Sequence, residues 1–452
     1  MEKIPLKNMP FTPLSGNGKI HVRLTQGFFQ TLRRLISGSL LALFFGIVWI
    51  QADGQPGLLF DFNQHRINLF GIQLSWFDLP LLGGLMIAGT LLLFFMALGW
   101  GRIWCGFACP QSIWTWLFIR IEQWTEGDAS LRRKQERQPL KGSRLIRRLL
   151  KHSLWLCLSL ATAITFTGYF VPIREIIADS ISLTLSLTTV GWIMIMATLT
   201  YLNGGLVREK VCLHMCPYSR FQTVMFDADT RTVSYNSVRG EPRRRSNNNV
   251  QAQGDCIDCS LCVQVCPTGI DIRHGLQYEC INCGACIDAC DRVMNKIGQP
   301  KGLIAFYSDN QLKGKPSPLL RPRLWLYLAM ILITSVPLIY GFGNKTELLV
   351  EVRRDRQQLY LQLENGELCN IYHLKVESFT GEAETITISA KTTFKSTLRG
   401  QTVISPQALN QWFSYHLCTT GADGNRNTPI RFLIQSETQQ KSKASMFIRP
   451  LN

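Results

Sequence analysis

The chain has 452 residues, 46% of them hydrophobic, and a formal charge of +17. That length permits several domains, and the mean hydropathy of +0.06 hides a sharp division between five apolar runs and very basic connections. The excess charge flanks the apolar runs without interleaved aromatic residues, which argues against nucleic-acid binding and for a membrane topology.

The first 34 residues are polar and basic, without the early apolar core and cleavage site of a signal peptide, so the first apolar run is expected to stay in the mature protein. Gly16-Asn17-Gly18-Lys19 resembles a fragment of a phosphate loop but lacks the following Ser or Thr and a preceding strand. The apolar runs are Leu35–Ile50, Leu79–Trp100, Ser153–Val171, Ile181–Leu202 and Leu324–Phe342. A spanning helix needs about 20 apolar residues, so four runs suffice and the first must borrow neighbours.

Lys and Arg number six in residues 1–34, eleven in 101–151 and sixteen in 203–323, against one each in 51–78 (Arg66) and 172–180 (Arg174). This asymmetry predicts a cytoplasmic N-terminus, a cytoplasmic 101–151 loop and a cytoplasmic segment before the fifth span, with the C-terminal tail on the opposite face. His65 and Arg66 on the outer loop are candidates for quinone or metal binding, with plain surface residues the simpler reading.

Two cysteine pairs share one form. Cys105-Gly-Phe-Ala-Cys109-Pro110 follows the second run and Cys212-Leu-His-Met-Cys216-Pro217 follows the fourth. An i, i+4 spacing on a helix puts two sulfurs on one face, and the four thiols meet if spans two and four are neighbours. His214 and Met215 add a nitrogen and a thioether. Soft donors of this kind select Cu(I); a further Fe–S cluster, dithiol–disulfide cycling and simple packing of helix ends remain open alternatives. Cys157, inside the third span, reads as packing.

Gly240–Gly254 has no apolar periodicity and reads as a flexible linker, with Arg243, Arg244 and Arg245 a solvated charge run or a contact to anionic lipid. The stretch after it carries the strongest signal in the chain. Cys256, Cys259, Cys262, Cys266 and Pro267 form C-x2-C-x2-C-x3-C-P, and Cys280, Cys283, Cys286 and Cys290 repeat the spacing with Asp291 in place of proline. Such runs hold [4Fe–4S] clusters, the fourth cysteine of each run ligating the other cluster. The expected sets are therefore Cys256, Cys259, Cys262 and Cys290 for one cluster, and Cys280, Cys283, Cys286 and Cys266 for the second. Zinc also uses C-x2-C pairs, but two near-identical tetrads are a cluster pattern. Disulfides are disfavoured in the cytoplasm.

From Thr346 the pattern changes to period two, over Leu348–Val352, Leu359–Leu363, Leu368–Val376, Thr385–Ile388, Ile430–Ile434 and Met446–Ile448. Asn365-Gly366 is a hairpin signal. Short strands with turns between them predict an immunoglobulin-like sandwich. Cys369 and Cys418 form either a disulfide or two buried free thiols. No paired carboxylates and no nucleophile triad stand out anywhere in the sequence.

The predicted fold is a multi-domain membrane protein: a five-helix α-helical transmembrane region, a bacterial-type two-[4Fe–4S] ferredoxin α+β module and a C-terminal all-β immunoglobulin-like sandwich. Its segments are a cytoplasmic 1–34, four spans within 35–203, a thiol segment and linker at 204–254, the ferredoxin module at 255–300, a linker and fifth span at 301–343, and a periplasmic domain at 344–452. The segments GRIWCGFACPQSIW, VCLHMCPYSRFQTVMFD and GDCIDCSLCVQVCPTGIDIRHGLQYEC, with the closing sandwich, resemble the FixG/CcoG family of cytochrome c oxidase accessory proteins, also called RdxA. The resemblance covers nearly the whole chain; NapH-like quinol dehydrogenase proteins share the paired C-x3-C-P and the clusters but lack the sandwich.

The resemblance implies a multi-pass protein of the bacterial inner membrane that serves assembly of the cbb-type haem–copper oxidase by reducing Cu(II) to Cu(I). Two [4Fe–4S] clusters would carry electrons, and Cys105, Cys109, Cys212 and Cys216 would handle copper as the substrate ion. The implied partners are oxidase subunits or their copper-delivery factors and a cytoplasmic electron donor; a homodimer is compatible with the sequence. Cys369 and Cys418 fall outside the family pattern. The alternatives are a quinol or ferredoxin electron-transfer component of another membrane complex, and a non-enzymatic scaffold in which the sandwich grips oxidase subunits.

Overall fold

The computed structural model describes the chain apart from residues 1–19, 53–54, 63–65, 71, 76–77, 137, 140–141, 245–253, 319–320, 344–347, 356–357, 364–365, 379–384, 406–410, 421–425, 437–439 and 451–452. The Gly16–Lys19 fragment, His65, Arg245 and Asn365 thus lie outside the described residues. Two compact units emerge, one of Met1–Ile50 with Leu82–Ile339 and one of Gln51–Leu81 with Tyr340–Asn452.

The first unit holds most of the apolar helices. Five helices are long and apolar enough to cross a membrane: Phe28–Trp49, Leu79–Trp100, Ser143–Thr167, Leu187–Val207 and Pro322–Gly343. The first begins seven residues before the expected run. Its N-terminal amides are met from far along the chain, because the Asp288 carboxylate accepts from the backbone N–H of Phe29 at 3.2 Å and of Gln30 at 2.8 Å. Such acceptors satisfy donors that a helix start leaves free.

The third helix begins ten residues early and takes in the basic stretch. Lys151 is 2% exposed on it and pairs with Glu126 at 2.8 Å. Glu122, fully buried, holds Arg132 at 2.6 Å and Arg208 at 2.7 Å, while Lys151 and Arg208 lie over the Trp155 ring. A buried charge survives only when paired in this way.

The fourth helix starts at Leu187 rather than Ile181, where the Ser186 hydroxyl accepts from Thr189 N–H. Ile173–Ser182 forms a separate helix before it, ended by Leu183 in the left-handed region at φ 56°. The fourth span closes in a wide π turn, Leu202–Val207. There Gly204 and Gly205 let the backbone lie against Phe118 and Trp155; a Cβ at either would stand 3.0 Å from ring carbon. Cys157 is exposed on the outer side of the third helix, so it does not pack a core as expected.

The cluster segment is a small α+β module whose strand pair comes from outside residues 255–300: Thr232–Tyr235 runs antiparallel to Ile304–Tyr307. The helices Leu261–Gln264 and Ala285–Lys296 follow the two cysteine loops. The described ends of the expected linker are tied down, with Arg244 N–H donating to Cys256 O at 2.8 Å and Arg243 pairing with Glu241 at 2.8 Å. Arg243 also stands 3.7 Å from Asp258, so it is not a free solvated charge.

In the second unit, two antiparallel sheets enclose one apolar core. Thr397–Arg399, Trp412–Thr419, Leu368–Ser378 and Leu348–Arg354 lie side by side in one, with Leu361–Gln362 also on Leu368–Ser378; Val403–Ile404, Ile386–Lys391, Asn427–Gln435 and Gln440–Ile448 form the other. Tyr372, Leu374, Tyr415, Leu417, Phe432 and Phe447 fill the space between them, as a sandwich requires. Cys369 and Cys418 face each other across neighbouring strands and form a disulfide. Strand Trp412–Thr419, which carries Cys418, escaped the sequence reading although Phe413, Tyr415 and Leu417 alternate inward along it. The 51–78 segment also carries short strands, and Arg66 within it bonds Gln73 Oε1 at 3.4 Å.

Candidate cluster and thiol site

Both cysteine loops of the module use one backbone solution. Asp258 and Ser260 lie between the first three cysteines at φ 51° and 54°, and Asn282 and Gly284 hold the same places in the second run at φ 52° and 69°. Left-handed residues at alternate positions curl each loop so that three sulfurs face one centre, and Asp, Asn and Gly tolerate that region best.

Cys256, Cys259, Cys262 and Cys290 line one cavity. Cys266, Cys280, Cys283 and Cys286 line a second, to which Cys262 also contributes. The fourth cysteine of each run therefore lies beside the other run's three. Among the described residues, no group of three or more His, Cys, Asp and Glu side chains is placed to hold a single metal ion. Four sulfurs on one zinc at about 2.3 Å would crowd within about 4 Å of each other, whereas sulfurs set around a cavity suit a multi-atom cluster.

The surroundings are apolar, with Val233, Ile270, Ile272, Ile287 and Met294 packed beside the cysteines. Burial pushes Cys262, Cys280 and Cys290 up to about 12, and raises Cys266 and Cys286 too. Bare thiolates are thus disfavoured here, and a bound metal must displace the protons. At the first cavity Arg273 bonds Asp271 and Asp258 and is held well above its ordinary value, first by its hydrogen bond to Asp271.

The second cavity is the one joined to the membrane helices. Gln30 Nε2 of the first span donates to Cys283 O at 3.1 Å, and Asn282 Nδ2 donates to Trp100 O, at the end of the second span, also at 3.1 Å. Asp288, one turn from Cys283, caps the first span as described above.

The C-x3-C-P pairs do not lie on continuous helices, contrary to the spacing argument. Cys105 is on a short helix, Ile103–Phe107, and Cys109 is the residue before Pro110 opens the next helix. Cys212 is in a π turn, Val211–Met215, and Cys216 again precedes a proline that starts a helix. Proline lacks the N–H that a continuing helix would use, so each pair straddles a helix break. The four thiols are nonetheless neighbours. Burial pushes Cys105 up to about 12, and the nearness of Cys109, Cys212 and Cys216 adds to it. Burial likewise lifts Cys212 to about 11, with Cys109 and Cys216 contributing. His214 and Met215 are exposed.

Sequence reasoning missed the residues that join thiols to cluster loop. Cys105 is 8% exposed and packs with Val265, Ile281, Cys283 and Ala285. Its Sγ donates to Gln222 Oε1 at 3.2 Å. Gly106 lies so close to the second cysteine loop that a Cβ on it would stand 2.6 Å from Ile281 O and 2.9 Å from Cys283 Cα. Arg102, buried between the two groups, donates to the carbonyls of Tyr278 and Ser219. Burial pulls its guanidinium down, opposed by Cys105, Cys280, Glu279 and Cys212 when these carry charge. A glycine beside a candidate ligand cysteine was the available signal for that close approach.

Apolar helices long enough to span a bilayer, joined to two facing cysteine tetrads and a β-sandwich, define a membrane iron–sulfur electron-transfer protein. Residues 207–309 match the 4Fe-4S dicluster domain, and residues 338–450 match the IG-like fold at the C-terminus of FixG. Protein RdxB of Cereibacter sphaeroides is 37% identical over 383 residues, 80% of either chain. Protein RdxA of the same organism is 34% identical over 379 residues, again 80% of either chain. Nitrogen fixation protein FixG of Rhizobium meliloti is 30% identical over 460 residues, 92% of this chain and 86% of that protein. The chain belongs to the FixG/RdxA family.

Proposed function

We propose that this protein is a cupric reductase of the bacterial inner membrane that supplies Cu(I) for maturation of a cbb-type cytochrome c oxidase. In this reading Cys256, Cys259, Cys262 and Cys290 hold one [4Fe–4S] cluster, and Cys280, Cys283, Cys286 and Cys266 hold the other. The clusters supply one-electron chemistry when bound. Cys105, Cys109, Cys212 and Cys216 receive Cu(II) as substrate, and one electron converts it to Cu(I). The module and thiols face the cytoplasm, the sandwich faces the periplasm, and oxidase subunits or copper-delivery factors take the product.

The observation that supports this most is the packing of Cys105 and Gly106 directly against the loop of Cys280, Cys283 and Cys286. A soft-donor site one van der Waals contact from a cluster loop suits electron delivery to a metal that prefers sulfur once reduced. Thiols placed in pairs suit Cu(I), which accepts two sulfur ligands. Buried protonated thiols also couple metal capture to proton release, which disfavours retention as acidity rises. Arg102 lies near the sulfurs of both groups and offsets part of the negative charge that thiolates bring.

The test uses anaerobically purified full-length protein, reduced and then mixed with Cu(II) and a chromophore specific for Cu(I). Wild type is compared with Cys105→Ser/Cys109→Ser and Cys212→Ser/Cys216→Ser, with iron content measured in each. The variants are expected to keep their iron and lose fast Cu(I) formation. Copper reduction at the wild-type rate in both would assign those thiols to structure and leave a generic electron-transfer protein.

A further inference from the structure

The electron donor is the missing part of that reading, and the membrane half of the protein contains a cavity suited to one. About 560 Å³ of space lies among the first, third and fourth spans and the first thiol loop. Its walls include Phe44 and Phe166 from the spans, Trp104 from the short helix Ile103–Phe107, and Gln111 and Trp114 from the helix that Pro110 opens. That size lies within the usual range for small-molecule sites. Most wall groups are apolar, the hydroxyls of Thr162 and Thr200 being spent on the backbone carbonyls of Leu158 and Met196, and Leu199 on its edge is about half exposed on the lipid side.

Two amides interrupt this apolar wall. Asn203 belongs to the π turn that ends the fourth span, and among the described residues its side chain has no hydrogen-bond partner. A polar group inside a spanning segment without a partner is costly, and irregular helix at membrane depth recurs where a site is built. Gln111 gives both amide hydrogens to backbone carbonyls, Asn203 O at 3.0 Å and Arg208 O at 3.1 Å. Its oxygen remains as an acceptor. Trp114 is held by its own bond to Thr162 Oγ1 at 3.1 Å and stacks edge-on to Phe44. The wall is therefore fixed rather than collapsible.

The cavity also adjoins the redox groups. Trp104 directly precedes Cys105, while Ala108 and Pro110 flank Cys109, and all three line it. Cys105 in turn packs on Cys283. A flat ring in this cavity would stand one residue from the thiols and two from the second cluster loop.

We propose that this cavity is the headgroup site of a lipid-soluble quinol, the electron donor of the protein, in place of the cytoplasmic donor that the family resemblance implies. The proposal rests on the electron-transfer reading. A lipid acyl chain satisfies the apolar walls but offers nothing to Asn203 or Gln111, whereas a quinol carries hydroxyls that both donate and accept. Oxidation of one quinol breaks two O–H bonds, releases two protons to the water on the cluster side and yields two electrons. The two clusters that Cys256, Cys259, Cys262 and Cys290 and Cys266, Cys280, Cys283 and Cys286 would hold supply two one-electron acceptors, so the two-electron balance would close on quinone.

The test uses full-length protein in nanodiscs, wild type against Asn203→Leu and Leu199→Trp. The first removes the amide at nearly constant volume; the second fills the cavity from its lipid-exposed edge. Binding of a short-chain quinone is read by quenching of tryptophan fluorescence, and cluster reduction by the matching quinol is read by bleaching of cluster absorbance. Iron content and bleaching by dithionite identify any variant that has lost its clusters. Saturable binding in wild type, weakened at least tenfold in both variants along with quinol-driven bleaching, is the expected result. Unchanged affinity in both folded variants, or equal quenching by a saturated alkyl alcohol of the same length, overturns the site. Dithionite-driven copper reduction fails only if the cupric reductase reading is wrong, and quinone binding is independent of it.

Discussion

Replacing Gly106 by Ala tests the junction between thiols and cluster loop with a single methyl group. On an otherwise unhindered helix the change stabilises by about 1 kcal/mol, since alanine is the better helix former. Here the new Cβ meets backbone, at 2.6 Å from Ile281 O, 2.9 Å from Cys283 Cα and 3.0 Å from Cys283 N. Ordinary contact begins near 3.4 Å, so the loops must part by roughly 0.8 Å. Backbone cannot swing aside as a side chain does, and overpacking of this kind costs about 1–3 kcal/mol. The opening falls on the segment that carries Cys280, Cys283 and Cys286, so one cluster suffers and the other does not. Anaerobic iron analysis and electron paramagnetic resonance should find about half the iron and a single reduced-cluster signal, or two signals with copper reduction slowed about tenfold. Gly38→Ala and Gly46→Ala are the controls, since a Cβ at either position meets nothing within 4 Å. A Gly106→Ala protein with full iron, an unchanged spectrum and wild-type copper reduction would refute the claim that this contact couples the two sites.

Asp288→Ala removes the acceptor for two amides of the first span and should lower local stability by about 1–2 kcal/mol; hydrogen exchange at Phe29 and Gln30 should accelerate about tenfold, and unchanged protection would argue against the cap. The Cys369–Cys418 disulfide closes a loop with sequence separation 49, so Cys369→Ala/Cys418→Ala should lose up to about 4 kcal/mol in the sandwich by chain entropy, measured by pulse proteolysis in urea. Burial lifts the Cys105 thiol up to about 12 from an ordinary 9.0. Because the neutral thiol is favoured in the fold, its stabilising contribution is complete below pH 9 and is lost as pH rises towards 12. In metal-free protein, alkylation of Cys105 followed by mass spectrometry should therefore speed up about tenfold per pH unit to beyond pH 11; a plateau near pH 9 would contradict the burial argument.

What the sequence reveals and what it hides divide along the range of the interactions concerned. The cluster loops are legible because ligand spacing is a local requirement, written within Cys256–Cys266 and Cys280–Cys290. The apolar runs are legible because a bilayer demands length. Helix starts are not: the cap of the first span is Asp288, 259 residues from Phe29, and no window on the N-terminal sequence contains it. Basic residues before Ser153 look like a boundary because charge usually ends a span, yet Lys151 continues the helix by pairing with Glu126. The i, i+4 reading of the thiols failed on Pro110 and Pro217, whose effect on a preceding turn is itself local and was available from the motif. Gly106 and Arg102 act between segments far apart in sequence, and only the packed structure brings their partners together.

Under the proposed cupric reductase function a one-electron substrate is paired with two clusters, and the proposed quinol site would give that pairing a reason. Reduction of Cu(II) takes one electron, and a single cluster beside the thiols would serve it. Cys259 of the first cavity is exposed, whereas the second cavity is bound to spans one and two and to the thiol loop. A quinol gives up two electrons, and a site with one acceptor would strand a reactive half-oxidised ring in the membrane. Cys262 lines both cavities, so a cluster held by Cys256, Cys259, Cys262 and Cys290 would lie next to the inner one and would supply a second one-electron acceptor. In the cupric reductase reading proposed above, two copper ions would each take one of these electrons. On the two proposals together, the outer cluster would be a store rather than an entry port. It follows that blocking the exposed face near Cys259 should leave quinol-driven copper reduction intact, whereas an entry port there would make that block inhibitory.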